Sequence, residues 1–351
     1  MKAEYARYTL RFKEKAVTSR DVLTSRDTYY IRIWDNAGEN FGLGECALFK
    51  GLGDDDVPDY EERLRETCRA ISSISSPGEI KVPPLTSLRF GVETALADLD
   101  NGGSRMPFPT LWSLGKSKIP INGLIWMGSR EKMLARIDEK LRDGFRCMKL
   151  KIGGIDFDDE MLLIKYIRDR FNPDQLELRL DANGAFTPGN ALQRLERLSR
   201  YSIHSIEQPI KARQWKDMER ICRESPIPIA LDEELIGCRD TAEKKELLDA
   251  IHPQYIILKP SLCGGLQSAD EWISLAETGN IGWWATSALE SNIGLNAIAQ
   301  WVSAKSPSMP QGLGTGKLYV NNIPSPLTQV RDVLRYNPDA KWELPQLDWN
   351  N

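Results

Sequence analysis

The sequence predicts an α/β protein, a modified (β/α) barrel with an N-terminal α+β capping domain. Three observations carry that expectation. From about Pro120, short β-rich runs alternate with amphipathic helical stretches. The first hundred residues instead read as an antiparallel meander followed by two helices. Five consecutive β-runs of the second region each end in a charged residue. With 351 residues the chain is long enough for two domains. The expected division is residues 1–109 as the cap, joined by the C-terminal tail 320–351, and residues 110–319 as the barrel.

In the cap, Tyr8, Leu10 and Phe12 alternate with polar residues. So do the runs at 30–34 and 41–44, the latter after a turn at Asn36-Ala37-Gly38. The polar segment 17–25 between the first two runs is expected to be a mobile loop. Helices are expected near 60–71 and 88–99, with Ser-, Gly- and Pro-rich connections at 72–84 and 101–109. In the barrel, eight runs follow at 121–126, 146–152, 176–181, 203–207, 227–232, 255–259, 282–286 and 311–314. Thr187-Pro188 suggests an N-cap with Pro at the first helical position before Leu192, Leu195 and Leu198. No G-x-G-x-x-G follows an early strand, which argues against an open dinucleotide-binding sheet.

Composition narrows the function. Lys and Arg number 46 and Asp and Glu 50, for a formal charge of -4, which favours neither nucleic acid nor an anionic membrane as partner. No apolar run is long enough to span a bilayer, and the N-terminus lacks the apolar core of a secretory signal. The six cysteines are scattered without a C-x-x-C pair, as reduced thiols of a cytoplasmic protein would be. Only two histidines, His204 and His252, are present. Histidine-based nucleophilic catalysis and a histidine–thiolate zinc site therefore lack material, leaving carboxylates and lysines to carry the chemistry.

Strand parity locates them. In Cys147–Ile152 the even positions are apolar and suit an outer layer of helices, so Lys149 and Lys151 point inward. In 176–181 the leucines face out while Glu177, Arg179 and Asp181 face in. Glu207, Asp232 and Lys259 end the next three runs with the same inward parity. Burying such a ring without purpose is costly, because an unpaired charge in low dielectric loses several kcal/mol. A divalent cation completes the balance, and three carboxylates suit Mg²⁺, or Mn²⁺ in its place. A lysine on either side of that ion is expected to have its pKa lowered and to serve as base or acid. The chemistry implied is abstraction of a proton α to a carboxylate, with the metal holding the enediolate.

These residues resemble the enolase superfamily. Lys149-Leu150-Lys151 is similar to its Lys-x-Lys strand, and Lys259-Pro260-Ser261 to the opposite lysine strand. Asp181-Ala182-Asn183-Gly184, Glu207-Gln208-Pro209 and Asp232-Glu233 look like the segments that donate its metal ligands. The likeness covers nearly the whole chain. Within the superfamily, 287–294 and 312–316 look most like the o-succinylbenzoate synthases. That family dehydrates 2-succinyl-6-hydroxy-2,4-cyclohexadiene-1-carboxylate in menaquinone synthesis. Gly312–Gly316 stands where dipeptide epimerases carry Asp-x-Asp.

The resemblance implies Mg²⁺ on Asp181, Glu207 and Asp232, catalysis by Lys151 and Lys259, and substrate contacts from Lys149, Asn183 and Ser287. It implies a small carboxylate substrate and is compatible with a homo-oligomer. Within the superfamily the alternatives are an N-acylamino acid racemase or a muconate-type cycloisomerase. Outside it, the alternative is a catalytically silent ligand-binding barrel.

Other residues carry plainer expectations. Arg179 and Glu177 are expected to form an internal ion pair, and His204 to face the helices in a structural role. Trp215, Trp272 and Trp301 read as core, and one of Trp283 and Trp284 as an inward residue able to line a pocket. Glu233 points outward by parity, yet stands beside Asp232 as a second candidate ligand. Ser287 either binds substrate or caps the helix beginning near Ser291. Segments 17–25 and 48–56 are expected to close over the substrate.

Overall fold

The computed structural model describes residues 1–17, 22–81 and 84–351. The chain opens with an antiparallel sheet of β1 (Lys2–Val17), β2 (Val22–Trp34) and β3 (Phe41–Cys46), followed by α1 (Tyr60–Ser72) and α2 (Thr86–Asp100). The strands are longer than side-chain alternation suggests. Ala16 pairs with Leu23, and residues 22–25 belong to β2, because pairing runs through the backbone and tolerates polar side chains. Residues 18–21 of the expected loop lie outside the described residues. Tyr5, Tyr29, Ile31, Leu64, Leu88 and Val92 bury the inner faces of sheet and helices against each other.

A second sheet begins after β4 (Ile119–Pro120). Its units are β5 (Gly123–Ile125), α3 (Arg130–Arg142), β6 (Cys147–Lys151), α4 (Phe157–Arg168), β7 (Glu177–Asp181) and α5 (Ala191–Ser199). They continue through β8 (Ser205–Glu207), α6 (Trp215–Glu224), β9 (Ile229–Leu231), α7 (Thr241–Ile251), β10 (Tyr255–Leu258), α8 (Gly265–Thr278), β11 (Gly282–Ala285) and α9 (Asn292–Ala304). Strands β5 to β11 pair in chain order, parallel throughout. The expected eighth run forms no regular strand. It contributes two parallel bridges, Thr286 to Gly312 and Ile121 to Gln311, which link the β11 side of the curled sheet to the β5 side.

The parity expectation holds at the outer face. Met148, Leu150, Leu178, Leu180 and Ile206 are buried in the core shared with Ile137, Ile164 and Leu195 of the surrounding helices. Inside, Arg179 pairs with Glu177 at 2.6 Å and lies 4.2 Å over the Trp284 ring. Trp284 is thus the inward indole, but it packs with Ala230 and Ile257 rather than lining the cavity. His204 departs from expectation. Its ring sits 5.1 Å from inward-facing Tyr255 and 6.3 Å from Trp284, because it precedes β8 and is not held to strand parity. Trp272 and Trp301 are buried, and Trp215 packs against the same core.

Helix α5 is capped differently from expectation. Asn190 is its N-cap, and Asn190 Oδ1 accepts the Thr187 amide at 2.9 Å, so a turn precedes the helix and Pro188 stays outside it. The chain finishes with β12 (Leu327–Val330) and β13 (Val333–Tyr336), the latter pairing with β4, and Asn350 bridges back to Tyr5.

Asp55 anchors the loop 48–56 to α2. Its carboxylate accepts the Thr86 and Ser87 amides at 2.9 and 2.6 Å and the Ser87 hydroxyl at 2.5 Å. Asp55→Ala leaves these buried donors unmet. It is expected to lower stability by about 2 kcal/mol in urea unfolding.

Candidate active site

Each charged residue of the ring is placed by where its strand ends. Lys151, Asp181 and Glu207 are the last residues of β6, β7 and β8, and they pair in register across the ladder. Asp232 and Lys259 follow β9 and β10 by one residue. Alternation keeps all five on the inner face at the same end of the sheet, and Lys149 lies two residues below Lys151.

The contacts are close. Lys151 Nζ donates to Asp181 Oδ2 at 2.9 Å and to Asn183 Oδ1 at 2.6 Å, and lies 5.9 Å from the Trp126 ring centre. Lys149 Nζ donates to Glu207 Oε2 at 2.7 Å and stands 3.1 Å from Asp181 Oδ2. On the other side, Lys259 Nζ donates to Asp232 Oδ2. Gln208 holds the next turn, its Oε1 accepting the Asp232 and Glu234 amides at 3.2 and 3.3 Å.

A cavity of about 630 Å³ opens above the ring. Lys149, Lys151, Asp181, Asn183 and Lys259 all line it, as does Ser287 after β11. Residues 22–27 of β2 and 48–52 after β3 supply the cap side. Phe49 and Leu52 pack against Ile236, Leu262 and Ala288 of the barrel loops. Arg26 joins the two halves. It donates to the carbonyls of Ala288, Leu289 and Leu48 at 2.6, 2.7 and 2.8 Å.

One expectation changes here, and one open alternative resolves. Glu233 lines the cavity and accepts from Asn183 Nδ2 at 3.1 Å, because β9 ends at Leu231 and a 3₁₀ turn over Glu233–Leu235 replaces strand alternation. Ser287 faces the cavity and does not cap α9. Ser291 does, accepting the Ile293 amide at 3.2 Å. Arg26, Trp126 and Thr315 line the cavity without having been singled out from sequence, since each lies beyond a strand end or on a separate strand with no periodic mark.

The charges are uneven. Burial raises the Asp181 carboxyl, but Lys149, Lys151 and Lys259 outweigh it and hold that pKa below the ordinary range. Glu207 goes the other way: burial, then the neighbouring Asp181 and Asp232 charges, push it well above, with Lys149 opposing. For Lys149 and Lys259, burial favours the neutral amine, yet the carboxylates prevail and both pKa values are raised. These carboxylates therefore hold Lys259 in its charged form.

The donor set fits a hard divalent ion. Three carboxylates share one buried patch, and Glu207 Oε1 is buried without a hydrogen-bond partner among the described residues. Lysine ammoniums lie on Asp181 Oδ2, Glu207 Oε2 and Asp232 Oδ2, and Asp181 Oδ1 accepts the Asn183 amide at 3.1 Å. Among the described residues no three acidic, histidine or cysteine side chains are drawn together tightly enough to close on an ion in this arrangement. A bound cation would take over the neutralising role that the lysines now share.

The chain is similar to known proteins over most of its length. Residues 132–331 match the family described as enolase C-terminal domain-like. The o-succinylbenzoate synthase of Desulfotalea psychrophila is 46% identical over 93% of this chain and 96% of its own length. The chain belongs to the o-succinylbenzoate synthase family of the enolase superfamily. The crystal structure of MenC from Desulfotalea psychrophila LSv54 superposes with a TM-score of 0.84 at 43% identity, covering 95% of this chain and 99% of that one. The o-succinylbenzoate synthase of Thermosynechococcus elongatus BP-1, complexed with Mg in its active site, gives a TM-score of 0.73 at 26% identity over 89% and 92% of the two chains. The enolase superfamily fold thus extends through both the meander and the barrel. No helix among the described residues is long and apolar enough to cross a membrane.

Proposed function

We propose that this chain is a cytoplasmic, magnesium-dependent dehydratase converting 2-succinyl-6-hydroxy-2,4-cyclohexadiene-1-carboxylate to o-succinylbenzoate and water. One observation carries the reading: Lys151 at the end of β6 and Lys259 just after β10 line the same cavity, with Asp181 at the end of β7 beside Lys151 and Asp232 beside Lys259. In this reading residues 110–319 form the catalytic barrel, and residues 1–109 with the tail 320–351 form the cap.

Asp181, Glu207 and Asp232 would hold Mg²⁺, or Mn²⁺, with Glu233 within reach of the same cavity. When bound, the ion supplies positive charge to a substrate carboxylate and to the enediolate that forms as the α-proton leaves. Lys151 Nζ takes that proton, its position fixed by Asp181 and Asn183. Lys149 and Lys259 add fixed positive charge below and opposite the planar intermediate. Return of the proton from Lys151 to the departing hydroxyl releases water and leaves an aromatic ring. The β2 residues 22–27 and the loop 48–52 exclude solvent, and Ser287 contributes to the substrate wall.

Two lysines facing one cavity also suit an N-acylamino acid racemase, in which each serves as base for one enantiomer. The test is direct. Wild-type protein with Mg²⁺ is expected to form o-succinylbenzoate, and α-proton exchange of an N-succinylamino acid in D₂O with inversion would favour the racemase. Chelation is expected to abolish activity and Mg²⁺ or Mn²⁺ to restore it. Restoration by Zn²⁺ alone would contradict the donor set.

A further inference from the structure

Beneath the cavity wall lies a buried carboxylate with no place in the reaction above. Glu290 is fully buried, and each of its oxygens accepts one serine hydroxyl: Oε1 from Ser261 at 2.5 Å and Oε2 from Ser287 at 2.5 Å. The two serines belong to different barrel loops. Ser261 stands two residues beyond Lys259, in a turn where the Leu262 and Cys263 amides donate to the Lys259 carbonyl at 2.7 and 3.0 Å. Ser287 ends the β11 side, its amide donating to the Gly312 carbonyl at 3.0 Å and its hydroxyl accepting the Leu289 amide at 3.1 Å.

The surroundings leave little slack. A Cβ on Gly294 would lie 2.8 Å from Glu290 Cβ and 2.9 Å from Glu45 Oε2, so the first turn of α9 packs directly on the stem of the Glu290 side chain. Glu45, from the cap strand β3, accepts the Ser291 and Gly294 amides at 2.9 Å each and fixes that turn from the other side. A group so confined can hold the two loops at a set separation, which a longer or mobile link could not do.

We infer that Glu290 is a positioning residue for the dehydration, locking the Lys259 turn and the Ser287 cavity wall to one another through a two-serine bridge. The inference rests on the synthase reading for its kinetics. It separates into two arms. Through Ser261 it sets where Lys259 stands against the reacting carbon, which acts on kcat. Through Ser287 it sets the wall that receives the substrate, which acts on KM. A glutamine at position 290 keeps the volume, but its NH₂ cannot accept a hydroxyl proton, so one arm must turn or detach.

The experiment compares Ser261→Ala, Ser287→Ala, Glu290→Gln and the combined variants at saturating Mg²⁺, with active-site titration. Ser261→Ala is expected to lower kcat at least about fivefold with KM little changed, and Ser287→Ala to raise KM by a similar factor. Glu290→Gln should show both effects, and should add less than about twofold in the double-serine background. Undiminished Glu290→Gln effects in that background would overturn the inference. So would a loss of folded protein with kcat and KM per active site unchanged. If Glu290→Gln does not fold, a single-serine pair that fails to split kcat from KM overturns it equally. A crystal structure of Glu290→Gln is independent of the reaction: displacement of the Ser261 or Ser287 loop supports the bridge, and unchanged positions of both reject it.

Discussion

Lys151→Ala is expected to reduce kcat by about 10³-fold or more while leaving the fold intact. A positioned proton-transfer group contributes roughly 10²–10⁴-fold, and here the same amine is assigned both removal of the α-proton and its return to the hydroxyl. Its Nζ is held by two acceptors, Asp181 Oδ2 at 2.9 Å and Asn183 Oδ1 at 2.6 Å, so geometry as well as basicity is lost. Truncation removes a cation from the edge of a buried cluster whose members Lys149 and Lys259 still neutralise, which is why circular dichroism and the unfolding midpoint should change little. The check is steady-state kinetics beside α-proton exchange in D₂O. Both should fall together, and exchange persisting at the wild-type rate would move the base to Lys259.

Asp181→Asn is expected to be the most damaging change to the ring. Its Oδ2 faces both β6 lysines, at 2.9 Å for Lys151 and 3.1 Å for Lys149, and the residue pairs in register with Lys151 and Glu207. An amide of the same shape keeps the volume and loses the charge. Lys149 then retains Glu207 alone, and Lys151 retains Asn183. Breaking a buried pair on one side costs about 3 kcal/mol, read by urea unfolding. Magnesium affinity should fall at least about 100-fold by calorimetry, since even outer partners of metal ligands are worth 10–100-fold.

The sign of the pH dependence follows from the direction of the Asp181 shift. A carboxyl held below its ordinary pKa in the folded state stabilises the fold above the unfolded value, and that contribution is lost as pH falls through the folded one. Glu207, shifted upward, opposes it. Acid unfolding of wild type should therefore be steeper than that of Asp181→Asn.

What could be read from the sequence was whatever repeats. The lysines and carboxylates of the ring recur at one parity and roughly one strand–helix unit apart, so alternation placed them before any contact was seen. The greasy partners Met148, Leu150, Leu178 and Leu180 marked the opposite face just as clearly. Alternation fails where the strand does. Glu233 turned into the cavity one residue after the expected end of β9, and His204 turned inward one residue before β8. The eighth run is held by single bridges rather than a ladder, which a β-rich stretch of sequence does not distinguish. Contacts between distant segments leave no period at all. Glu45 and Ser291 are 246 residues apart, and Arg26 reaches the carbonyl of Leu289 across 263, so the fastening of cap to barrel became visible only in three dimensions.

The measurement that bears most directly on the assigned chemistry is the rate at which the magnesium-loaded wild-type chain forms o-succinylbenzoate from its cyclohexadiene precursor, set beside Lys151→Ala and a chelated sample. Product should appear with water at one equivalent each, orders of magnitude faster than in either control. Equal rates in all three samples would contradict both the lysine base and the metal site on Asp181, Glu207 and Asp232.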